Sequence, residues 1–237
     1  MPPLAAEPYR PIKRGPVVPS AGSQHLHDTS STPITFTSEG LTLTGILHQP
    51  ASAFFPAAAV CHPHPLYGGD MNNSVVVAVC HGLVDAGIAS LRFNYRGVGR
   101  SEGEYDDGLG ERRDAAAALA HLRQLAQVEQ DRVGIVGYSF GATVALTAAD
   151  ERVAAAAAIS TPSFGQGVPD LTIRCPTLLV SGEQDEIAPA ASLAALARTI
   201  GPQCQVTVVP GADHFWWGYE KKLAELVAQF FRQCLIG

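Results

Sequence analysis

Short apolar runs alternate with segments of helical spacing along most of the chain, and this alternation predicts alternating strands and helices. Buried strands are predicted at 57–61, 89–94, 133–137, 153–160, 177–181 and 205–209. Helices are predicted at 72–86, 111–126, 142–149, 190–200 and 219–234. Continuous apolar strands that alternate with helices indicate a mainly parallel sheet with helices on both faces.

A polar and apolar alternation of period two precedes this region. Residues 34–38 and 41–48 flank Glu39-Gly40, and they predict an antiparallel hairpin at the sheet edge. With the six later strands this makes about eight strands in one α/β domain, at 33–237. Residues 1–32 are rich in proline and polar residues, which excludes a regular helix or a central strand. We predict an N-terminal arm there, and leave open whether it lies on its own domain or on a second subunit of a homodimer.

Composition narrows the classes of partner. The 237 residues carry a net charge of -6 and no basic stripe, so nucleic acid is not an expected partner. The longest apolar runs are too short to span a membrane, and residues 1–15 lack the apolar core of a secretory signal. Five cysteines, an odd count, favour reduced thiols and a cytoplasmic location over disulfides.

The segment Gly137-Tyr138-Ser139-Phe140-Gly141 lies where a predicted strand meets a predicted helix, so the chain reverses direction at a serine. A G-x-S-x-G turn in this context predicts a nucleophile elbow, whose strained backbone raises the serine hydroxyl clear of the sheet. Free N–H groups at the helix start would stabilise an anion beside Ser139. Taken alone, the segment could also be a glycine-rich turn without a catalytic role, or one that binds phosphate.

A serine nucleophile needs a base to accept its proton and an acid to orient that base. In an open α/β sheet, such residues follow the carboxyl ends of the strands. Asp185 follows the strand predicted at 177–181, and His214 follows the last predicted strand. The order Ser, Asp, His predicts a catalytic triad, with Glu183 and Glu186 as alternative acids.

The predicted triad also requires donors for the oxyanion. The first should be the N–H of Phe140, directly after the nucleophile. The second should come from the loop after the strand at 57–61, where Pro63 and Pro65 have no N–H. The backbone N–H of His64 is therefore the best-placed donor, and that of Leu66 is the second candidate.

Two loop segments resemble cofactor sites only in part. His62-x-His64 near Asp70 has ligand types that suit zinc, but no third ligand is clear and the predicted triad already explains the loop. Residues 96–101 contain two glycines but match neither the phosphate-loop pattern nor the dinucleotide pattern. We therefore predict no metal, no cofactor and a structural role for 96–101.

Five motifs together resemble the α/β-hydrolase superfamily over residues 33–235. They are His62-Pro63-His64-Pro65, Asn94-Tyr95-Arg96-Gly97-Val98-Gly99-Arg100-Ser101, Gly137-Tyr138-Ser139-Phe140-Gly141, Gly182-x-x-Asp185 and Gly211-x-x-His214. The chain is most similar to small, lid-poor bacterial members related to dienelactone hydrolases and short-chain serine esterases. The resemblance implies that Ser139 is the nucleophile, His214 the base and Asp185 its orienting acid. True dienelactone hydrolases carry a cysteine nucleophile, so Ser139 argues against dienelactone as the substrate.

The predicted pocket is open and apolar. Residues 160–176 are too few, and too often interrupted by glycine and proline, to form a lid domain. An acyl pocket is predicted from six aromatic side chains, Tyr67, Phe140, Phe164, Phe215, Trp216 and Trp217. The two tryptophans could equally pack under the last helix.

These features predict a serine hydrolase that cleaves a small or medium carboxylic ester, a small molecule, through an acyl-enzyme. Thioesterases, amidases, peptidases and acyltransferases use the same groups, and the sequence does not separate them. A hydrolase fold that binds a ligand or partner without catalysis is the alternative from another class.

Overall fold

The computed structural model describes residues 30–162, 171 and 173–237. Residues 1–29 of the predicted arm and the predicted pocket residue Phe164 lie outside the described residues. The predicted boundary between arm and domain stays a prediction.

Strands and helices alternate in the described residues as the pattern predicts. The strands are β1 (Ser30–Ser38), β2 (Leu41–Gln49), β3 (Phe55–Cys61), β4 (Ala89–Phe93), β5 (Val128–Tyr138), β6 (Ala156–Ile159), β7 (Thr177–Gly182) and β8 (Cys204–Val209). The helices are α1 (Ser74–Asp85), α2 (Leu109–Gln124), α3 (Phe140–Ala148), α4 (Ala190–Ile200) and α5 (Glu220–Leu235), with a 3-10 turn at Pro65–Tyr67.

The bounds differ most at β5, which begins at Val128, five residues before its predicted start, and next at β1 and β6. β1 begins at Ser30 because residues 30–32 pair with the end of β2, although their side chains are exposed and show no apolar alternation. Pro33 lies within this strand, which is an edge strand and therefore tolerates the missing N–H. β6 is shorter than predicted, since Val153 belongs to a turn closed by its N–H on the carbonyl of Asp150.

One sheet has the strand order β1-β2-β4-β3-β5-β6-β7-β8. β1 pairs with β2, and β2 with β4, in antiparallel fashion, whereas every later pair is parallel. This arrangement confirms the predicted α/β-hydrolase fold class. The connection between β6 and β7 is too short to form a large lid domain.

Alternate residues of each central strand enter opposite cores, as the period of two requires. Ile135 packs in the core with α2, α3 and α4, whereas Val136 packs in the core with α1 and α5. Because β3, β5, β7 and β8 run in the same direction, the loops that follow them project from one edge of the sheet.

Two further properties follow from the described residues. All five cysteines are free thiols. No helix among the described residues has the length and hydropathy needed to span a membrane.

Candidate active site

Ser139 occupies a strained turn between β5 and α3. Its backbone lies at φ 56° and ψ -121°, where a non-glycine residue is rarely found. A Cβ at position 137 would collide with the carbonyl of Gly141, and a Cβ at 141 would collide with the carbonyl of Cys61. Glycine at both positions therefore lets α3 start directly above β3 and β5, with Ser139 raised at its N-terminus.

Three polar side chains from three loops form a continuous hydrogen-bonded chain. Ser139 Oγ lies 3.0 Å from His214 Nε2. His214 Nδ1 lies 2.9 Å from Oδ1 and 3.0 Å from Oδ2 of Asp185. Because a carboxylate only accepts, Nδ1 carries the imidazole proton and Nε2 is left to accept from the serine hydroxyl.

Asp185 is held as a carboxylate by the loop that carries it. Its Oδ1 accepts the N–H groups of Ile187 at 3.0 Å and Ala188 at 2.7 Å. Burial acts to raise the pKa of Asp185, but the hydrogen bonds from His214 and Ala188 outweigh it and hold the pKa below its ordinary value. Of the alternative acids, Glu183 accepts the N–H of Gly211 and Glu186 is exposed.

The loop that carries His214 is fixed on both sides of the imidazole. Tyr138 donates its hydroxyl to the carbonyl of His214 at 2.8 Å, which ties this loop to the end of β5. Asp213 Oδ1 accepts the N–H groups of Phe215 at 3.0 Å and Trp216 at 2.9 Å. Asp213 therefore closes the turn after β8, while Asp185 orients the imidazole.

The two predicted oxyanion donors lie beside the serine. Phe140 and His64 both line the cavity that contains Ser139, and their rings are 4.8 Å apart. In the described part of the chain, neither backbone N–H donates to a protein acceptor. The His64 ring accepts the N–H of Leu66 at Nδ1 and faces the Tyr105 hydroxyl at Nε2, 3.2 Å away.

The neighbouring His62 is a structural residue of the same loop. Its Nδ1 donates to the carbonyl of Pro63 at 2.7 Å, and its Nε2 accepts the N–H of Tyr95 at 3.3 Å. Burial lowers the pKa of His62 to about 4, so the ring is neutral at pH 7. Both ring nitrogens are occupied, which leaves His62 without a free lone pair for the zinc site considered above.

The loop after β4 is held by a buried ion pair. Arg96 Nη2 lies 2.8 Å from Asp114 Oδ1, and the Arg96 backbone N–H donates to Asp114 Oδ2 at 2.9 Å. Glu111 accepts the N–H groups of Asp106 and Gly108 and so fixes the start of α2. These contacts give Arg96, Asp114 and Glu111 structural roles.

A cavity of about 640 Å³ lies over the serine. Its described lining is mostly apolar or neutral: Pro63, His64, Tyr67, Gly68, Gly69, Asn73, Tyr138, Ser139, Phe140, Thr143, Pro162, Ile187, His214 and Phe215. Three of the predicted pocket residues, Tyr67, Phe140 and Phe215, belong to this lining.

The placement of Trp216 in the pocket is wrong. Trp216 is fully buried, packs in the core with α1 and α5, and donates its indole N–H to Ser160 Oγ at 3.0 Å. Its φ of 61° turns the side chain inward between two outward-facing neighbours. Trp217 lies outside the cavity lining, where its ring stacks on Phe215.

Sequence reasoning missed several residues of the site. Thr143 lies one helical turn after Ser139 on α3, so the helix period alone could have placed it in the cavity. Ile187 follows Asp185 by two residues and could have been found as an apolar residue on the acid loop. Tyr138 and Tyr105 act through contacts with distant segments, for which no sequence signal exists.

The chain matches the family model of the X-Pro dipeptidyl-peptidase (S15 family) over residues 4–168, which is more than half of its length. It belongs to this family. The S15 family is part of the α/β-hydrolase clan, and the chain is accordingly a hydrolase of the α/β-hydrolase superfamily. The matched segment includes Ser139 but ends before Asp185 and His214.

The chain is also similar to individual proteins, of which the two solved structures are α/β serine hydrolases. An uncharacterized protein of Rickettsia prowazekii is 38% identical over 172 residues, which cover 68% of this chain and 72% of the relative. A solved α/β serine hydrolase homologue from Coxiella burnetii is 34% identical, with a TM-score of 0.76 over 84% of this chain and 96% of that one. A serine hydrolase without a lid from Xanthomonas campestris is 28% identical, with a TM-score of 0.78 over 87% of this chain and 96% of that one.

Proposed function

We propose that the protein is a carboxylesterase that cleaves small to medium carboxylic esters through an acyl-enzyme on Ser139. The observation that carries the proposal is the hydrogen-bonded chain from Ser139 through His214 to Asp185, at the floor of an apolar cavity.

The reaction follows from the positions of these groups. His214 Nε2 accepts the proton as Ser139 Oγ attacks the ester carbonyl, and Asp185 stabilises the imidazolium that forms. The N–H groups of Phe140 and His64 donate to the oxyanion at the N-terminus of α3. His214 then gives its proton to the leaving alcohol, and water activated by the same imidazole releases the acid.

The cavity lining favours an uncharged substrate. Among the described residues that line it, none is an aspartate, glutamate, lysine or arginine. A charged substrate group would lose its hydration there without gaining a partner. Asn73 and Thr143 supply neutral hydrogen-bonding groups, which suit an ester.

Release of dipeptides from X-Pro peptides is a second candidate function, because it is the activity in the name of the family. A dipeptidyl-peptidase must bind the free α-ammonium group of its substrate, for which a carboxylate is the natural partner. The described lining offers none, so we rank this activity below ester hydrolysis.

The test compares the two substrate classes on one preparation of the full chain. We expect turnover of 4-nitrophenyl esters with short to medium acyl chains, and little or none of alanyl-prolyl-4-nitroanilide. Ser139→Ala should lower kcat on the esters by at least about 10³-fold, since it removes the nucleophile. Covalent labelling of wild type by a fluorophosphonate, detected as a mass increase on the peptide containing Ser139, checks the nucleophile independently.

Ester turnover that survives Ser139→Ala would refute the mechanism. Turnover of the nitroanilide above that of the esters would place the protein among the peptidases instead. Absence of both labelling and turnover would favour the alternative of a fold that binds without catalysis.

A further inference from the structure

Two aromatic rings stand exposed at the edge of the cavity. Phe215 lines the cavity and is 48% exposed, and Trp217 is 73% exposed beside it. Their ring centroids are 5.3 Å apart and their planes differ by 23°, so the two rings stack on each other, and the Trp217 ring still keeps most of its surface exposed. We call this pair the aromatic platform. Exposed neighbouring aromatic rings at a cavity edge are typical of a binding surface, because their burial is favourable.

The platform is held rigidly by residues that face inward. Trp216, between the two rings, is fully buried and anchored to Ser160. Asp213 accepts the N–H groups of both Phe215 and Trp216. The backbone of the turn that carries the two rings is thus fixed, which lowers the cost of ordering this turn when a ligand binds.

The platform lies on the side of the catalytic base. The ring of Phe215 meets the imidazole of His214 edge to face, with centroids 5.7 Å apart. In the proposed reaction His214 gives its proton to the leaving oxygen, so the alcohol part of the ester lies next to His214. The group that reaches Phe215 and then Trp217 therefore belongs to the alcohol.

We propose that the aromatic platform binds a planar aromatic ring in the alcohol part of the ester. A third ring stacks on an indole face with a centroid separation of about 4.5–7 Å, which favours a flat ring over a saturated ring of similar size. The neutral cavity lining suits an uncharged arylalkyl ester. This inference rests on the proposed esterase function.

The test uses two esters that differ only in the planarity of one ring, benzyl butanoate and cyclohexylmethyl butanoate. Acid release by the full chain is followed by titration at constant pH. We expect a higher kcat/KM for the benzyl ester. Trp217→Ala should lower that value by about three- to tenfold, and should lower the value for the cyclohexylmethyl ester less than about twofold. Because each ester is compared with itself in the variant, the different leaving groups do not affect the comparison.

Three further variants separate stacking from general apolar contact and from damage to the fold. Trp217→Phe should retain most of the benzyl preference, whereas Trp217→Leu should lose it. Phe54→Ala is the matched control, because Phe54 is 69% exposed and precedes β3 at the opposite end of that strand from the site. It should leave both esters unchanged, and thermal melting should show a folded protein in every case.

If Trp217→Ala lowered kcat/KM equally for both esters, or lowered it for neither, the inference would be overturned, while the esterase proposal would still stand. Ethyl phenylacetate and ethyl cyclohexylacetate place the same two rings on the acyl side. A Trp217-dependent preference for the ring there, instead of in the alcohol, would also overturn it. If wild type hydrolyses none of these esters and Ser139 resists labelling, the proposed function itself fails.

Discussion

Two buried carboxylates in this protein have different roles, since one stabilises the fold and the other belongs to the candidate active site. Asp185 and Asp114 are both almost fully buried, and each accepts several hydrogen bonds. The partner of Asp114 is Arg96, whose charge is permanent, and the hydrogen bonds that Arg96 donates to Asp114 raise the pKa of that guanidinium further. The partner of Asp185 is His214, whose second nitrogen reaches Ser139 at the cavity floor.

The difference shows why burial of a charged group does not by itself indicate a functional site. A carboxylate paired with arginine is already neutralised, and no proton can be exchanged within the pair. A carboxylate paired with an imidazole stabilises a charge that appears only when the imidazole accepts a proton. The four predictions below test this contrast, beginning with the largest effect.

Asp185→Asn should abolish most activity with little effect on folding. The amide oxygen can still accept from Ile187 and Ala188, but the amide cannot stabilise the imidazolium of His214. We expect kcat on 4-nitrophenyl butanoate to fall by about 10⁴-fold. Glu183→Gln, a change to an exposed neighbour, is the matched control and should retain activity. Full activity of Asp185→Asn would remove Asp185 from the triad.

Asp114→Asn should lower the stability of the fold and leave the activity of the folded protein nearly unchanged. It leaves the Arg96 guanidinium with only the half-exposed Glu39 as an anionic partner, and we expect the free energy of unfolding to fall by up to about 3–5 kcal/mol in urea titrations. The folded fraction should keep kcat close to that of wild type. The double variant Arg96→Met, Asp114→Leu should recover part of the stability, since it removes both charges together. Loss of activity at unchanged stability would give Asp114 a catalytic role.

Trp216→Phe tests the inward anchor of the turn that carries His214. It keeps most of the apolar contact but leaves Ser160 Oγ without the indole N–H. We expect a loss of about 1–3 kcal/mol in the free energy of unfolding, measured by urea titration. The matched exposed substitution Trp217→Phe should change stability less. If both substitutions lowered the free energy of unfolding equally, the buried Trp216 would not be the anchor of this turn.

His48 extends the contrast to a histidine whose partner is a cation. Burial, together with Arg92 and His81, lowers the pKa of His48 from 6.5 to about 4. Between pH 4 and pH 6.5 the unfolded chain binds a proton at this position that the folded chain does not bind. The free energy of unfolding is therefore highest above pH 6.5, and it decreases as the pH falls towards 4. His48→Gln should flatten the dependence of the unfolding free energy on pH there, by up to about 1.4 kcal/mol per pH unit. An unchanged slope would show that His48 takes up its proton while folded.

Much of the architecture could be predicted because the signals are local. Apolar runs in β3, β5 and β7, and the spacing of the helices, follow from burial on both sides of a parallel sheet. The bounds of α4 agree with the prediction at both ends. β1 was predicted too short because residues 30–32 are exposed, so burial imposes no pattern on them.

The grouping of Ser139, Asp185 and His214 was also accessible, for a topological reason. Parallel strands end at a common edge, so the order of residues after successive strands predicts which of them meet. The contacts that refine the site were not accessible. Trp216 and Trp217 are adjacent and chemically alike, yet one is buried in the core and the other is exposed beside the cavity.

The sequence by itself determined the alternation of strands and helices, the serine turn with its two glycines, and the order of the three polar residues that follow the strands. These depend on spacing and on local backbone sterics, which a linear pattern records. Only the tertiary structure decided which acid faces His214, that Arg96 neutralises Asp114, and that the rings of Phe215 and Trp217 stack beside the cavity. Each of these depends on the distance between side chains from separate loops, or on a single backbone angle. The pattern of residues along the chain predicts neither quantity.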